Sequence, residues 1–313
     1  MTGMGRQEAA AVTPRHDGEV LARADGCEVI DCRDCGFAHL SPLPDPELLQ
    51  KRYREHFYQT EKPDYFARTE ADEPWLQLQY GDRLATLADL LGPGRRSLLD
   101  IGCGPGSFLA TAAAHGWTGV GVEPSPVAAD YARARGLQVV EGVYPLEPGD
   151  ELPRCDAVHL SEVLEHVSDP ARMLRAVYRQ LAPGGVVCVS VPNDFNILQK
   201  VLRDKDHFSP WWVAPRHHVN YFSFASLSAL LRSCGFEVVH QEASFPMEFF
   251  LLMGNDYVAD PALGRECHRQ RVRLEMRLAA AGCNDLRRRL YQHLATLGLG
   301  RIAVVYALRR QPA

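Results

Sequence analysis

No run in this 313-residue chain is long enough to span a bilayer: "FFLLM", Phe249 to Met253, falls far short of the about 20 apolar residues a spanning helix needs. Positive charge is scarce as well. The 34 Lys and Arg against 39 Asp and Glu leave a formal net charge of -5, so nucleic acid or an anionic membrane would have to be bound through a local patch rather than by general attraction. The opening "MTGMGRQEAAAVTPRHDGEV" lacks the apolar core of a secretory signal. Internal repeats and low-complexity tracts are missing too. The nine cysteines are odd in number and sit in apolar contexts such as "VVCVSV", which excludes a disulfide framework and fits reduced thiols. The expectation is a cytoplasmic protein without nucleic-acid or membrane partners. At 46% hydrophobic content it can build one sizeable core with appendages.

What is present divides into three regions. Residues 1–45 are read as a loop-rich, Cys-containing extension ending in the proline cluster "SPLPDP". Residues 46–95 carry apolar side chains at three- and four-residue spacing in "PELLQKRYREHFYQ" and "PWLQLQYGDRLATLADLL", which predicts a helical lid over the rest of the chain. Residues 96–313 alternate short β-rich runs ("SLLDIG", "TGVGVE", "LQVVEG", "CDAVHLS", "VVCVSVPN") with helical segments, the signature of a doubly wound α/β sheet. A helical insertion is expected near 246–300, with "RIAVVYAL" returning antiparallel to "FEVV".

The first of these strands runs into "LLDIGCGPGSFL", where Asp100 directly precedes Gly102, Gly104 and Gly106. Glycines at a strand-to-helix turn let the backbone bend sharply and let a ligand approach the main chain. The spacing G-x-G-x-G is one residue shorter than the dinucleotide fingerprint, and an acid stands before it. A carboxylate there suits a cationic moiety better than a pyrophosphate. Glu123 closes the second strand, where it can accept from both hydroxyls of a ribose.

From Leu98 to Phe236 the order of "DIGCGPG", Glu123, "VVEG", "CDAVHLSEVLEHV" and "LAPGG" resembles the class I S-adenosylmethionine-dependent methyltransferases. The resemblance implies a Rossmann-like, mostly parallel seven-stranded sheet and an S-adenosylmethionine site. On this sequence it would comprise Asp100, Gly102, Cys103, Gly104, Gly106, Phe108, Glu123, Pro124, Gly142, Val143, Ser161 and Glu162.

"SEVLEHV", Ser161 to Val167, sets Glu162, Glu165 and His166 among Val and Leu, at the sheet edge where open α/β folds bind ligands. Were the segment helical, all three would share one face. "PRHHVNYFS" offers His217 and His218 as further donors. The stretch resembles the "SEV-x-EHV" of ubiquinone-pathway O-methyltransferases. It also resembles the E-x-x-E-H of small-RNA 2'-O-methyltransferases, in which a downstream His completes a divalent-metal site. By its distance from "YFS", His218 matches that ligand. Three readings stay open: Glu162, Glu165, His166 and His218 hold a divalent ion (Mg, Mn, Fe or Zn); His166, with His218 and Glu165 beside it, acts as a metal-free base; or the group is purely structural. The activity expected is O-methylation of a small-molecule hydroxyl on a sugar, quinone-like or secondary-metabolite acceptor. N- or C-methylation by a His base is the alternative, and a non-catalytic cofactor-binding subunit is the alternative from another class.

"CRDCGF" is a metal-knuckle pattern, but a complete zinc site needs a second pair of ligands. Beside Cys32 and Cys35 only Cys27 and His16 or His39 are available, so the segment is read as a β-turn and structural zinc is not expected. Tyr53, Tyr58, Tyr65 and Phe66 can cover the cofactor or pack the lid. Trp211 and Trp212 can form a second lid or a packed insertion.

Overall fold

The structure, a computed structural model, describes residues 16–55, 57–147 and 152–310. It opens with strands β1 (Gly18–Ala24), β2 (Cys27–Cys32) and β3 (Ala38–Ser41), so the described part of the N-terminal region is sheet rather than the expected loops. Helix α1 (Pro46–Glu55), a π-turn (Phe57–Glu61) and the long α2 (Tyr65–Leu91) come next. α2 begins well before the predicted start at Pro74, which lies inside the helix.

The α/β part runs β4 (Ser97–Ile101), α3 (Ser107–Ala114), β5 (Thr118–Glu123), α4 (Pro126–Ala134), β6 (Val139–Glu141), β7 (Cys155–Ser161), a 3-10 turn (Leu164–His166), α5 (Pro170–Gln180), β8 (Leu181–Pro192) and α6 (Ile197–Lys205). The short β9 (Asn220–Tyr221), α7 (Phe224–Ser233), β10 (Phe236–Ala243), α8 (Glu248–Leu252), α9 (Pro261–Ala280), α10 (Asn284–Thr296) and β11 (Ile302–Arg309) complete it. Capping explains where several helices start: Asp169, Ser223 and Asp260 accept from the first-turn N–H groups of α5, α7 and α9, with Pro at the first position of α5 and α9.

Seven strands form one sheet in the order β10-β11-β8-β7-β4-β5-β6. It is parallel except for β11, which runs antiparallel to both β8 and β10. Alternation along each strand decides what packs where. In β8, Val187, Val189 and Val191 join one core with α5 and α7, while Val186 and Cys188 join another with α2 and α3. Both faces are covered, as a parallel sheet requires. The predicted helical insertion is three helices, the short α8 and then α9 and α10, which are divided at Gly282 with its φ of +70°. Glu275 of α9 accepts from Trp75 and Gln79 of α2 and from Tyr291 of α10, which binds the three together.

The second sheet has the order β1-β2-β3-β9, so its last strand comes from the far side of the α/β part. Trp212 packs into its core with Val29, Leu40 and Tyr221, making this tryptophan a packing residue rather than a lid. Among the described residues, no helix is long and apolar enough to cross a membrane.

Candidate active site

Strand order reverses between β4 and β7, and the crevice at their carboxyl ends is where an open α/β sheet receives ligands. The residues singled out in the sequence gather there. After β4 the chain turns through Gly102, Gly104 and Gly106, all with positive φ (+69°, +52° and +81°). At Gly106 a Cβ would meet Leu137 at 2.3 Å and Ala132 at 3.2 Å, so this glycine lets the loop lie against α4. Gly102 and Cys103 are tied to β5 by their N–H groups on the Val122 carbonyl.

Glu123 is buried at the end of β5 and accepts from the backbone N–H of Gly104 at 2.9 Å and of Ser125 at 3.0 Å. Burial raises its carboxyl to about 7 against the pull of those two bonds. Pro124 leads into α4, and Gly142 and Val143 come after β6, with the Gly142 N–H on the Glu123 carbonyl. Phe108, expected at the cofactor, is instead core: it stacks on His159 with ring centres 3.6 Å apart. Ser161 is spoken for within the sheet, 2.8 Å from the Ser190 hydroxyl.

Aromatic side chains of the lid close over this edge. The Tyr58 hydroxyl stands 3.2 Å from where a Gly104 Cβ would be, and Tyr58 stacks on Phe66 and meets Tyr65 edge-on. Tyr53 covers His166 with ring centres 5.0 Å apart. A cleft of about 290 Å³ between α2 and α4 is lined by Phe66, Glu73, Pro105, Tyr131 and Arg135, of which the sequence pointed only to Phe66.

The structure brings Glu165, His166 and His218 together, their nearest donor atoms within 4.8 Å of one another. Glu162 does not join them. The expected helical face fails because Glu162 has a φ of +55° and only Leu164 to His166 form a 3-10 turn, which leaves the Glu162 side chain exposed. His217 turns elsewhere, toward Arg52 and Glu61.

The Nδ1 of His166 lies 2.7 Å from the His217 carbonyl, which can only accept, so Nδ1 carries the proton and Nε2 keeps a lone pair. Glu165 is 1% exposed and neither of its carboxylate oxygens has a hydrogen-bond partner; nor has Nδ1 of His218. The Glu165 to His166 approach of 3.8 Å is too long for a hydrogen bond. Nor is it an ion pair: burial raises the Glu165 carboxyl well above its ordinary range, with Glu162 adding to the effect, and lowers His166 to about 4 and His218 to about 3. Buried polar atoms without a protein partner can take a water or an ion.

A methyltransferase-domain family model matches residues 71–241, more than half the chain. The chain belongs to this family. It is a class I S-adenosylmethionine-dependent methyltransferase with a Rossmann-like fold. It is 40% identical over 119 residues to a ubiquinone biosynthesis O-methyltransferase of Alkalilimnicola ehrlichii, covering 36% of this chain and 48% of that one. An uncharacterized methyltransferase of Mycobacterium sp. is 37% identical over 119 residues, covering 35% and 46%. The chain spans about half the length of these curated relatives. Among solved structures, the plantazolicin methyltransferase in complex with SAH superposes with a TM-score of 0.51 at 13% identity, covering 84% of this chain and 94% of that one. An Archaeoglobus fulgidus methyltransferase does so at 0.50 and 16%, covering 78% and 99%. At these identities the likeness is one of fold.

Sequence reasoning missed two side chains that hold the methyltransferase's Asp100 in place. Its carboxylate lies 2.7 Å from His159 Nδ1, and Arg83 reaches His159 Nε2 at 3.0 Å. Since arginine only donates, Nε2 accepts and the Nδ1 proton is directed at Asp100. The polar His159 within "CDAVHLS" was the available signal.

Burial holds His159 below its ordinary 6.5, so the unfolded chain takes up a proton that the folded one refuses. This part of the stability is complete above about 6.5 and is lost as pH falls below it. His159→Phe keeps a ring on Phe108 but takes the His159 donor from Asp100 and leaves Arg83 with Ser161 as its hydrogen-bond partner. Chemical unfolding should show a loss of about 3 kcal/mol near neutral pH and a shallower decline between pH 7 and 5 than in the parent.

Proposed function

We propose that this enzyme methylates a hydroxyl of a small molecule, and that Glu165, His166 and His218 hold one divalent ion on the acceptor side. The observation that carries the reading is the orphaned donor set: two Glu165 oxygens and His218 Nδ1 without partners, beside a His166 Nε2 lone pair exposed by the bond its Nδ1 makes. A second-sphere carbonyl fixing the tautomer is the usual partner of a metal-ligating imidazole. Mixed carboxylate and imidazole ligands suit Mg, Mn, Fe or Zn. Such an ion, when bound, supplies Lewis acidity that lowers the pKa of a hydroxyl.

The chain's own share is positioning. S-adenosylmethionine brings an already activated methyl group, so the protein has to align the acceptor oxygen and accept its proton. Asp100 and the Gly102 to Gly106 loop, with Cys103 within it, are proposed to face the methionine and ribose portions. Glu123 is proposed to take the ribose hydroxyls with the lone pairs that Gly104 and Ser125 leave free. Pro124, Gly142 and Val143 would border the adenine, with the Ser161 and Glu162 backbone beneath the sulfonium. Tyr53, Tyr58 and Tyr65 would exclude water from above. The curated relatives named as ubiquinone biosynthesis O-methyltransferases support oxygen as the acceptor atom, and the net charge of -5 supports a small acceptor over a polyanion.

A metal-free reading, in which His166 Nε2 takes the acceptor's proton, draws on the same fixed tautomer. Chelation separates the two. Under the metal reading, prolonged dialysis against a chelator abolishes turnover while S-adenosylmethionine affinity is retained, and added Mg or Mn restores turnover. Under the base reading, turnover survives the dialysis and His166→Ala lowers it by about 10²–10⁴.

The cofactor assignment has its own test. Glu123→Ala, with its far-ultraviolet spectrum unchanged, should weaken S-adenosylhomocysteine binding in calorimetry by about 1.5–3 kcal/mol. Binding unaffected by the change would overturn the role given to Glu123.

A further inference from the structure

The N-terminal sheet gathers a second set of donor side chains that methyl transfer does not use. His16, immediately before β1, lies with Nδ1 3.6 Å from the Cys32 sulfur and 3.4 Å from the Cys35 sulfur. His39 of β3 meets the His16 ring edge-on with centres 4.8 Å apart. One donor atom from each of the four lies within 4.8 Å of the others. Cys27, the third cysteine of the region, is outside the group. The second ligand pair that the knuckle lacks in its own stretch of sequence is therefore two histidines, one from either side of it.

The two sulfur to His16 spacings are those of ligands around a shared ion. Around a tetrahedral centre with bonds of about 2.0–2.3 Å, neighbouring ligand atoms stand about 3.3–3.8 Å apart. Both sulfur to His16 distances fall within that span. His39 provides an independent sign. Its residue is 1% exposed, and its Nδ1 lies 2.8 Å from the Leu40 carbonyl, so Nδ1 is the donor and Nε2 keeps the lone pair. That Nε2 is buried without a hydrogen-bond partner. A neutral imidazole fixed by a carbonyl, with its other nitrogen buried and free and two thiols in the same group, is prepared as a ligand. The turn between the cysteines is prepared as well: the Gly36 N–H bonds the Cys32 carbonyl at 2.9 Å, and Gly36 has a φ of +72°, which favours glycine.

We propose that His16, Cys32, Cys35 and His39 bind one zinc ion, and that this ion fixes β3 as the support for the His217–His218 segment. Two sulfur and two nitrogen ligands with no open position make a structural centre and select zinc over magnesium or manganese. Its link to the active site is the sheet: His39 pairs with Asn220 in β9, two residues beyond His218, and the Leu40 N–H bonds the Val219 carbonyl at 2.9 Å.

The test uses the full chain purified without chelator. Elemental analysis should find one zinc per chain that is retained in His218→Ala and lost in Cys35→Ser and in His39→Ala. That contrast separates this centre from the Glu165, His166 and His218 group. Because the knuckle variants can fail to fold, the parent is also stripped of metal and titrated with cobalt. Tetrahedral cobalt bands with thiolate charge-transfer absorption are the expected result. A chain without zinc whose metal-free form gives no such bands, or full zinc content in a folded Cys35→Ser, would overturn the proposal.

Discussion

The backbone of Val219 is the joint on which the rest of the site depends. Its N–H donates to the Glu165 carbonyl at 2.7 Å and its carbonyl accepts from the Leu40 N–H at 2.9 Å. One peptide segment thus fastens the turn after β7 to the N-terminal sheet. His218 precedes it directly, and Asn220 comes after, donating to the carbonyls of Leu164 and Val167 at 2.8 and 2.7 Å. These bonds to the 3-10 turn and its end set His218 beside His166 and Glu165. Hydrogen bonds in a buried place are costly to break, so this geometry is held by the Val219 main chain together with the Asn220 side-chain amide.

Around that joint the molecule tolerates charge-bearing side chains in their neutral forms. Glu165 is driven toward protonation, and His166 and His218 toward the free base, by one cause, the loss of water. Asp100 differs in its bonding: it receives a hydrogen bond from His159, which Arg83 backs. The site therefore sorts its polar groups into one carboxylate held by donors and another left without any, a few residues beyond the same sheet edge.

Much of this was legible in the sequence because it is local. The strand and helix alternation, the glycine turn after β4 and the acid at the end of β5 each lie within a few consecutive residues. Each is fixed by backbone sterics or by the two-residue period of a strand. What escaped was set by tertiary pairing. His16 and His39 come to the cysteines only because β1, β2 and β3 fold into one antiparallel sheet. Glu162 left the face it was assigned because its backbone is left-handed, a conformation that spacing arguments do not see. Arg83, from the middle of α2, reaches His159 across the interior, and nothing near either residue announces the partner.

Pro74 has a mechanical consequence. A proline within a helix cannot donate to the carbonyl four residues before it, here that of Glu70. α2 is thereby short of a rung between its two parts. The later part is anchored by Leu84, Leu87 and Leu91 in the core, and the earlier part carries Tyr65 and Phe66 over the ligand edge. A rod bends where it is least braced. Pro74 is therefore where α2 has the least main-chain bonding of its own, and the side chains beside it, Glu73 on Arg135 and Trp75 on Glu275, hold the two parts in line, with Arg83 of the anchored part on His159.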